Sequence, residues 1–234
     1  NGNSSGKGGV IYHQGDQSIN ESSGIYNSNF LFNTANVAGG CFYFTDINSV
    51  EIGKADNKNV FVANQSLQES SNDVKVGGGV FYIQNASSLH LNTNRFYVNN
   101  SRNNGGAGII DNVTSSLIIE NNIFLTNKAR IGGTFTLLNT LSDGLIANNK
   151  FYHNSSTLNG GALFFYQSST GDFDIRDNTF YNNSTSIAGG AISSYRPLRL
   201  VRNLFRENAL NVKDPLNNNG TAVSLNDNGI QTLI

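Results

Sequence analysis

The amino-acid sequence predicts an all-β fold: a right-handed parallel β-helix of about seven to eight three-strand coils, one solenoid across residues 1–234. Three observations carry that prediction. One unit is written seven times, each copy opening on a glycine pair with a short apolar run and closing on Phe-x-x-Asn. The apolar runs are aromatic or β-branched rather than helix-forming. The segments that follow alternate apolar and polar with period two, as a strand with one buried face does.

The glycine pairs are Gly8-Gly9, Gly39-Gly40, Gly78-Gly79, Gly105-Gly106, Gly132-Gly133, Gly160-Gly161 and Gly189-Gly190. A partial eighth opening stands at Gly220-Thr221-Ala222-Val223. The pairs recur at intervals of 27 to 39 residues, room for three short strands and three turns. Glycine there supplies corners of positive φ, or lets two backbones pass closely. Parallel crossovers are almost always right-handed, which sets the expected hand.

The first strand follows each pair, as in Phe42-Tyr43-Phe44, Val80-Phe81-Tyr82-Ile83 and Leu163-Phe164-Phe165. The second alternates: Leu89 and Leu91 point inward around His90, Leu117 and Ile119 around Ile118, Phe173 and Ile175 around Asp174, Leu198 and Leu200 around Arg199. The third carries Asn-x-Phe-x-x-Asn. Its phenylalanines, Phe30, Phe61, Phe96, Phe124, Phe151, Phe180 and Phe205, are expected to stack as a core column. The asparagines two places earlier, Asn59, Asn94, Asn122, Asn149, Asn178 and Asn203, are expected to form an amide ladder, with Ser28 in the first copy. Two segments exceed the usual spacing, 65–77 and 209–219. Such insertions mark the binding edge of many solenoids; the plain alternative is a tolerated surface loop.

Composition limits the function. Only 13% of residues are charged and the net charge is -1, so nothing draws nucleic acid or an anionic membrane surface. A lone cysteine, Cys41, cannot form an internal disulfide and reads as a small packed hydrophobe. No apolar stretch is long enough to span a bilayer, and without an initiator Met or signal peptide the chain reads as processed or as a fragment.

Catalytic chemistry finds little footing. Two facing carboxylates are needed for glycoside hydrolysis. The best cluster, Asp172, Asp174 and Asp177, has Leu145 and Arg199 beside Asp174 in the neighbouring coils, so surface ion pairs are expected and no enzyme. His13, His90 and His153 fall in coils one, three and five and do not converge on a metal. Gly105–Asp111 misses a calcium β-roll motif by one residue, which turns the aspartate to the other face. No cofactor is expected.

Two features remain as contact or modification sites. Asn-x-Ser/Thr acceptors occur at Asn3, Asn20, Asn64, Asn85, Asn99, Asn112, Asn154, Asn182 and Asn183. Four of them, Asn64, Asn99, Asn154 and Asn183, are the closing residue of Phe-x-x-Asn, and stacked sequons would line glycans along the rod. An asparagine buried in a ladder cannot carry one, so Asn85, Asn112 and Asn154 are preferred. Tyr12, Tyr43 and Tyr82 share one slot in successive coils and are read as an outward strip for sugar rings or a partner chain.

The pairing of Gly-Gly-Ala-(Ile/Leu/Val) with Phe-x-x-Asn resembles the repeats of the chlamydial polymorphic membrane proteins. Copies six and seven match best: Gly160-Gly161-Ala162-Leu163 with Phe180–Asn183, and Gly189-Gly190-Ala191-Ile192 with Phe205–Asn208. The resemblance covers essentially the whole chain and implies a β-helix on the cell surface or outside the cell, used in adhesion. Three functions stay open. The first is a glycosylated fibril subunit whose β-helices stack end to end, so that its partner is itself. The second is an adhesin passenger that binds glycans or a host or cell-surface protein. The third is a polysaccharide-active enzyme, for which Asp174→Asn would abolish turnover.

Overall fold

The structure, a computed structural model, describes residues 4–16, 22–69, 73, 75–141, 143–166, 172–211 and 221–225. Three parallel sheets run its length, and no helix occurs among the described residues. About seven stacked turns form a β-solenoid. A seven-stranded sheet runs from Asn29–Leu31 to Leu204–Arg206 and carries the Phe-x-x-Asn phenylalanines. A twelve-stranded sheet, the long sheet, holds the strands that follow the glycine pairs. An eight-stranded sheet of mostly two-residue strands, the short sheet, lies between each closing asparagine and the next glycine pair.

Two details depart from the expected three strands. The first and second strands fuse in coils two to four, giving Phe42–Ile52, Phe81–Asn92 and Gly108–Glu120. Asp46, Asn85 and Asn112, with φ of 58°, 53° and 58°, bend these long strands without breaking their pairing. Asparagine and aspartate tolerate that left-handed conformation because a short polar side chain bonds locally. From coil five the strands separate, as Phe135–Leu138 and Gly144–Ala147. The short sheet has no counterpart in the sequence reading, since two-residue strands leave no period to detect.

Each glycine pair performs both expected tasks, one per residue. Gly105 has φ of 62°, and a Cβ on Gly106 would sit 2.1 Å from the carbonyl oxygen of Gly133 one coil on. The first glycine makes the corner and the second makes room for the next coil.

The core is the column of phenylalanines predicted from the repeat. Successive rings from Phe30 to Phe205 stack with centroids 4.7–5.1 Å apart. Phe42 and Phe135 meet the column edge-on, with centroids 4.8 Å from Phe30 and 4.9 Å from Phe124. Each such pair adds about 0.5–1.5 kcal/mol beyond the area it buries.

Two amide ladders flank this column. In the first, the backbone N–H and Nδ2 of Asn94 both donate to Oδ1 of Asn122, at 2.8 and 3.1 Å, and Asn122 repeats the pattern on Asn149. The series runs from Ser28 through Asn59 to Asn203. The second uses the closing asparagines, from Asn33 and Asn64 through Asn99, Asn127, Asn154 and Asn183 to Asn208. Its Nδ2 groups also donate back to the phenylalanine carbonyls of the preceding coil, as Asn127 does to Phe96 at 3.0 Å. The residue before a ladder asparagine is left-handed in most coils. Thr93, Asn121, Asn148 and Asp177 turn into the first ladder, and Ala63, Val98, Thr126 and His153 into the second.

Candidate functional site

The tyrosine strip is not the exposed surface expected of it. Its three rings do stack, Tyr12 on Tyr43 at 5.3 Å and Tyr43 on Tyr82 at 5.1 Å, and they point away from the phenylalanine core. Yet only Tyr12 is open, at 54% exposed, while Tyr43 is 8% and Tyr82 1% exposed. Tyr43 and Tyr82 form a second apolar cluster with Ala38, Ile109 and Leu138. Lys7 lies over the Tyr43 ring, 4.5 Å from its centroid. The Tyr82 hydroxyl donates to Asp111 Oδ2 at 3.1 Å, and Lys75 Nζ reaches the same oxygen at 3.4 Å. Burial first, and the nearby Asp111 charge second, push the Tyr82 hydroxyl far above its usual range.

Lys75 belongs to the 65–77 insertion, of which residues 70–72 and 74 lie outside the described residues. Val76 of that segment is buried and Gly77 rejoins the coils by pairing with Ala38 and Asn104. The described ends of the segment therefore lie against the coils. Of the second insertion, 209–219, only the first three residues are described.

The sequons divide in the same way. Asn64, Asn99, Asn154 and Asn183 are fully buried, with both Nδ2 hydrogens given to the ladder. The folded chain has no room for a glycan on any of them, which corrects their candidacy, including that of Asn154. Their Ser and Thr partners have a structural use. Ser66 and Ser101 meet Oγ to Oγ at 3.1 Å, and Ser156 donates to Thr185 at 2.8 Å, in a column inside the short sheet. The motif excess is therefore two internal ladders two residues apart. Asn85 and Asn112 are half-buried on the outer bend, where Asn112 Nδ2 donates to Asn85 Oδ1 at 2.8 Å. Asn182 is exposed. Asn3 and Asn20 lie outside the described residues.

Two of the three aspartates of coil six, Asp174 and Asp177, are held in ion pairs. Asp174 lies 3.1 Å from Arg199 and 3.5 Å from Arg176, and register places Leu145 and Arg199 on either side of it. Arg202 grips Asp177 with two bonds, at 2.7 and 2.8 Å, and holds its carboxyl below the usual range. Asp172 accompanies Arg196, whose guanidinium lies 4.8 Å from the Phe173 centroid and whose pKa is lowered mainly by burial. His90 contacts Glu120 at 2.9 Å and His153 contacts Asn182 at 3.1 Å, each within its own part of the rod. Among the described residues no group of three His, Cys, Asp or Glu could hold a metal ion, and no helix is long and apolar enough to cross a membrane. Cys41 is fully buried, and burial raises its thiol well above the usual range.

One surface escaped the sequence reading. The outward rows of the seven-stranded sheet carry Arg95, Lys150 and Arg206 and no carboxylate, beside Tyr97, Leu125, Tyr152 and Tyr181 in direct register. The adjoining short sheet adds Arg102, Lys128 and Arg130 around an open groove of about 390 Å³, with Glu69 paired to Arg102 at 2.8 Å. The long sheet's exterior is mixed, with Glu51, Glu120 and Asp174 beside His90, Arg176 and Arg199. The near-zero net charge therefore conceals a basic, carboxylate-free outer face on the seven-stranded sheet. Its sequence signal was a basic residue two places before tyrosine, Arg95-x-Tyr97 and Lys150-x-Tyr152.

Comparison with protein-family models, with curated proteins and with solved structures finds no match to this chain.

Proposed function

We propose that this chain is a structural rod of the cell surface or extracellular space, with adhesive outer faces. One observation carries the reading. Every residue that defines the repeat is consumed inside the solenoid: phenylalanines in the stack, asparagines in two ladders, glycines at the corners. Such a repeat specifies shape and stiffness. Rungs joined by paired backbone and amide ladders resist bending as stacked sheets do. The resemblance to chlamydial surface repeats supports the same location and the adhesive role.

End-to-end assembly is part of this reading. Asn203 and Asn208 are the last described members of their ladders, and each accepts from the coil before it. In a second copy stacked on this end, Ser28 and Asn33 stand first in the corresponding ladders. N-linked glycans, where present, belong on Asn85, Asn112 and Asn182. Electron microscopy of the purified protein tests the rod. Straight particles of about 35–40 Å, at ~4.8 Å per coil, or filaments with that axial repeat, are expected; compact globular particles would sink it.

The adhesin reading alone, without self-assembly, is favoured by the basic and aromatic outer face. Single rods that bind cells and never lengthen would select it.

A further inference from the structure

From this basic surface we infer that the exterior of coils three to five docks a sparsely charged acidic polysaccharide. The inference rests on the adhesive part of the proposed function. Arg95 and Arg102 in coil three, Lys128 and Arg130 in coil four and Lys150 in coil five stand on two adjoining sheets. Among the described residues Arg95, Lys128 and Lys150 have no ion-pair partner. Arg130 bonds only the neutral Asn103 Oδ1, at 3.3 Å. Among the described residues the carboxylates nearby include Glu69, on Arg102, Asp73, whose carbonyl accepts from Asn103, and Asp56, in a second groove with Lys58 and Arg95.

Spacing selects the class of anion. Arg95 and Lys150 share one outward row and are separated by Ile123, two coils or roughly 10 Å apart. A nucleic-acid strand carries a charge about every 3.4 Å and would leave most phosphates unmatched. A polysaccharide with one carboxylate per disaccharide leaves neutral sugar between its charges. Tyr97, Leu125 and Tyr152 supply neutral, half-buried ground between the cations, against which sugar rings can lie.

Calorimetry of the full chain with hyaluronan oligosaccharides tests this, with dextran, single-stranded DNA and phosphatidylserine vesicles in parallel. Hyaluronan is expected to bind and dextran not to. Combined Lys128→Gln, Arg130→Gln and Lys150→Gln should weaken binding about tenfold. Tyr152→Ala should weaken it severalfold without altering its salt dependence. Arg176→Gln with Arg199→Gln, on the long sheet, should leave it unchanged. All these side chains are at the surface, and unchanged circular dichroism verifies the fold. Tighter binding of DNA or vesicles, equal binding of dextran, or an equal effect of the long-sheet variant overturns the inference. Failure to bind hyaluronan by a chain that still adheres to cells also overturns it, whereas loss of all adherence overturns the adhesive reading beneath it.

Discussion

Replacing Asn122 with alanine should cost about 3–4 kcal/mol, although no charge is altered and the change removes only the side-chain amide. Asn122 Oδ1 accepts both the backbone N–H and Nδ2 of Asn94, at 2.8 and 3.1 Å. Its Nδ2 lies 3.1 Å from Asn149 Oδ1 and 3.0 Å from the Leu91 carbonyl. After truncation the Asn94 N–H, buried at 1% exposure, has no acceptor, a penalty of about 1–3 kcal/mol. Asn94 Nδ2 keeps Ile52 O at 2.6 Å and Asn149 Oδ1 keeps the Asn122 N–H at 2.9 Å, so the other losses are near 1 kcal/mol each. Asn203→Ala removes a similar acceptor pair, at 3.0 Å each, but at a half-buried position that water can reach. It should cost about 1–2 kcal/mol. Urea unfolding of both variants measures the difference, and amide exchange should quicken most at Asn94. Equal losses in the two variants, or a loss below about 1 kcal/mol for Asn122→Ala, would refute the ladder as a source of stability.

Other outcomes follow from single contacts. Gly106→Ala drives a Cβ to 2.1 Å from the Gly133 carbonyl and should lower stability by about 3 kcal/mol in the same urea assay. Val98 is β-branched, left-handed at φ 56° and 54% exposed, so Val98→Asn should raise stability by about 1 kcal/mol, read as a higher melting temperature. The Cys41 thiol, buried and with its pKa raised, should resist maleimide at neutral pH until urea unfolds the chain. Asp177, whose pKa Arg202 depresses, adds stability above the usual carboxylate range that fades as pH falls through its lower folded value; Asp177→Asn should flatten that part of the melting-temperature profile.

Phe96, Phe124 and Asn122 were readable because a repeat predicts its own neighbours. Once coils stack in register, equal positions meet, and apolar parity within each strand decides which point inward. The closing asparagines were harder to read. Asn154-Ser155-Ser156 satisfies a glycosylation pattern and an internal double ladder equally well, and the corner made by left-handed His153 decides between them. The short sheet was silent because two residues carry no periodicity.

By itself the sequence determined the solenoid: its coil count, its phenylalanine column and its glycine corners. These depend on local strand pattern and contacts between adjacent coils, which a periodic chain states openly. Only the tertiary structure decided what lies over each outer face. Tyr43 and Tyr82 were expected on an exposed strip; they are buried in a second apolar cluster, where Val76 is buried too and Lys75 reaches Asp111 beside them. Net charge is likewise a sum without direction. Arg95, Lys128 and Lys150 become one basic surface only when residues 22 to 55 positions apart come onto adjoining sheets, about 4.8 Å per coil.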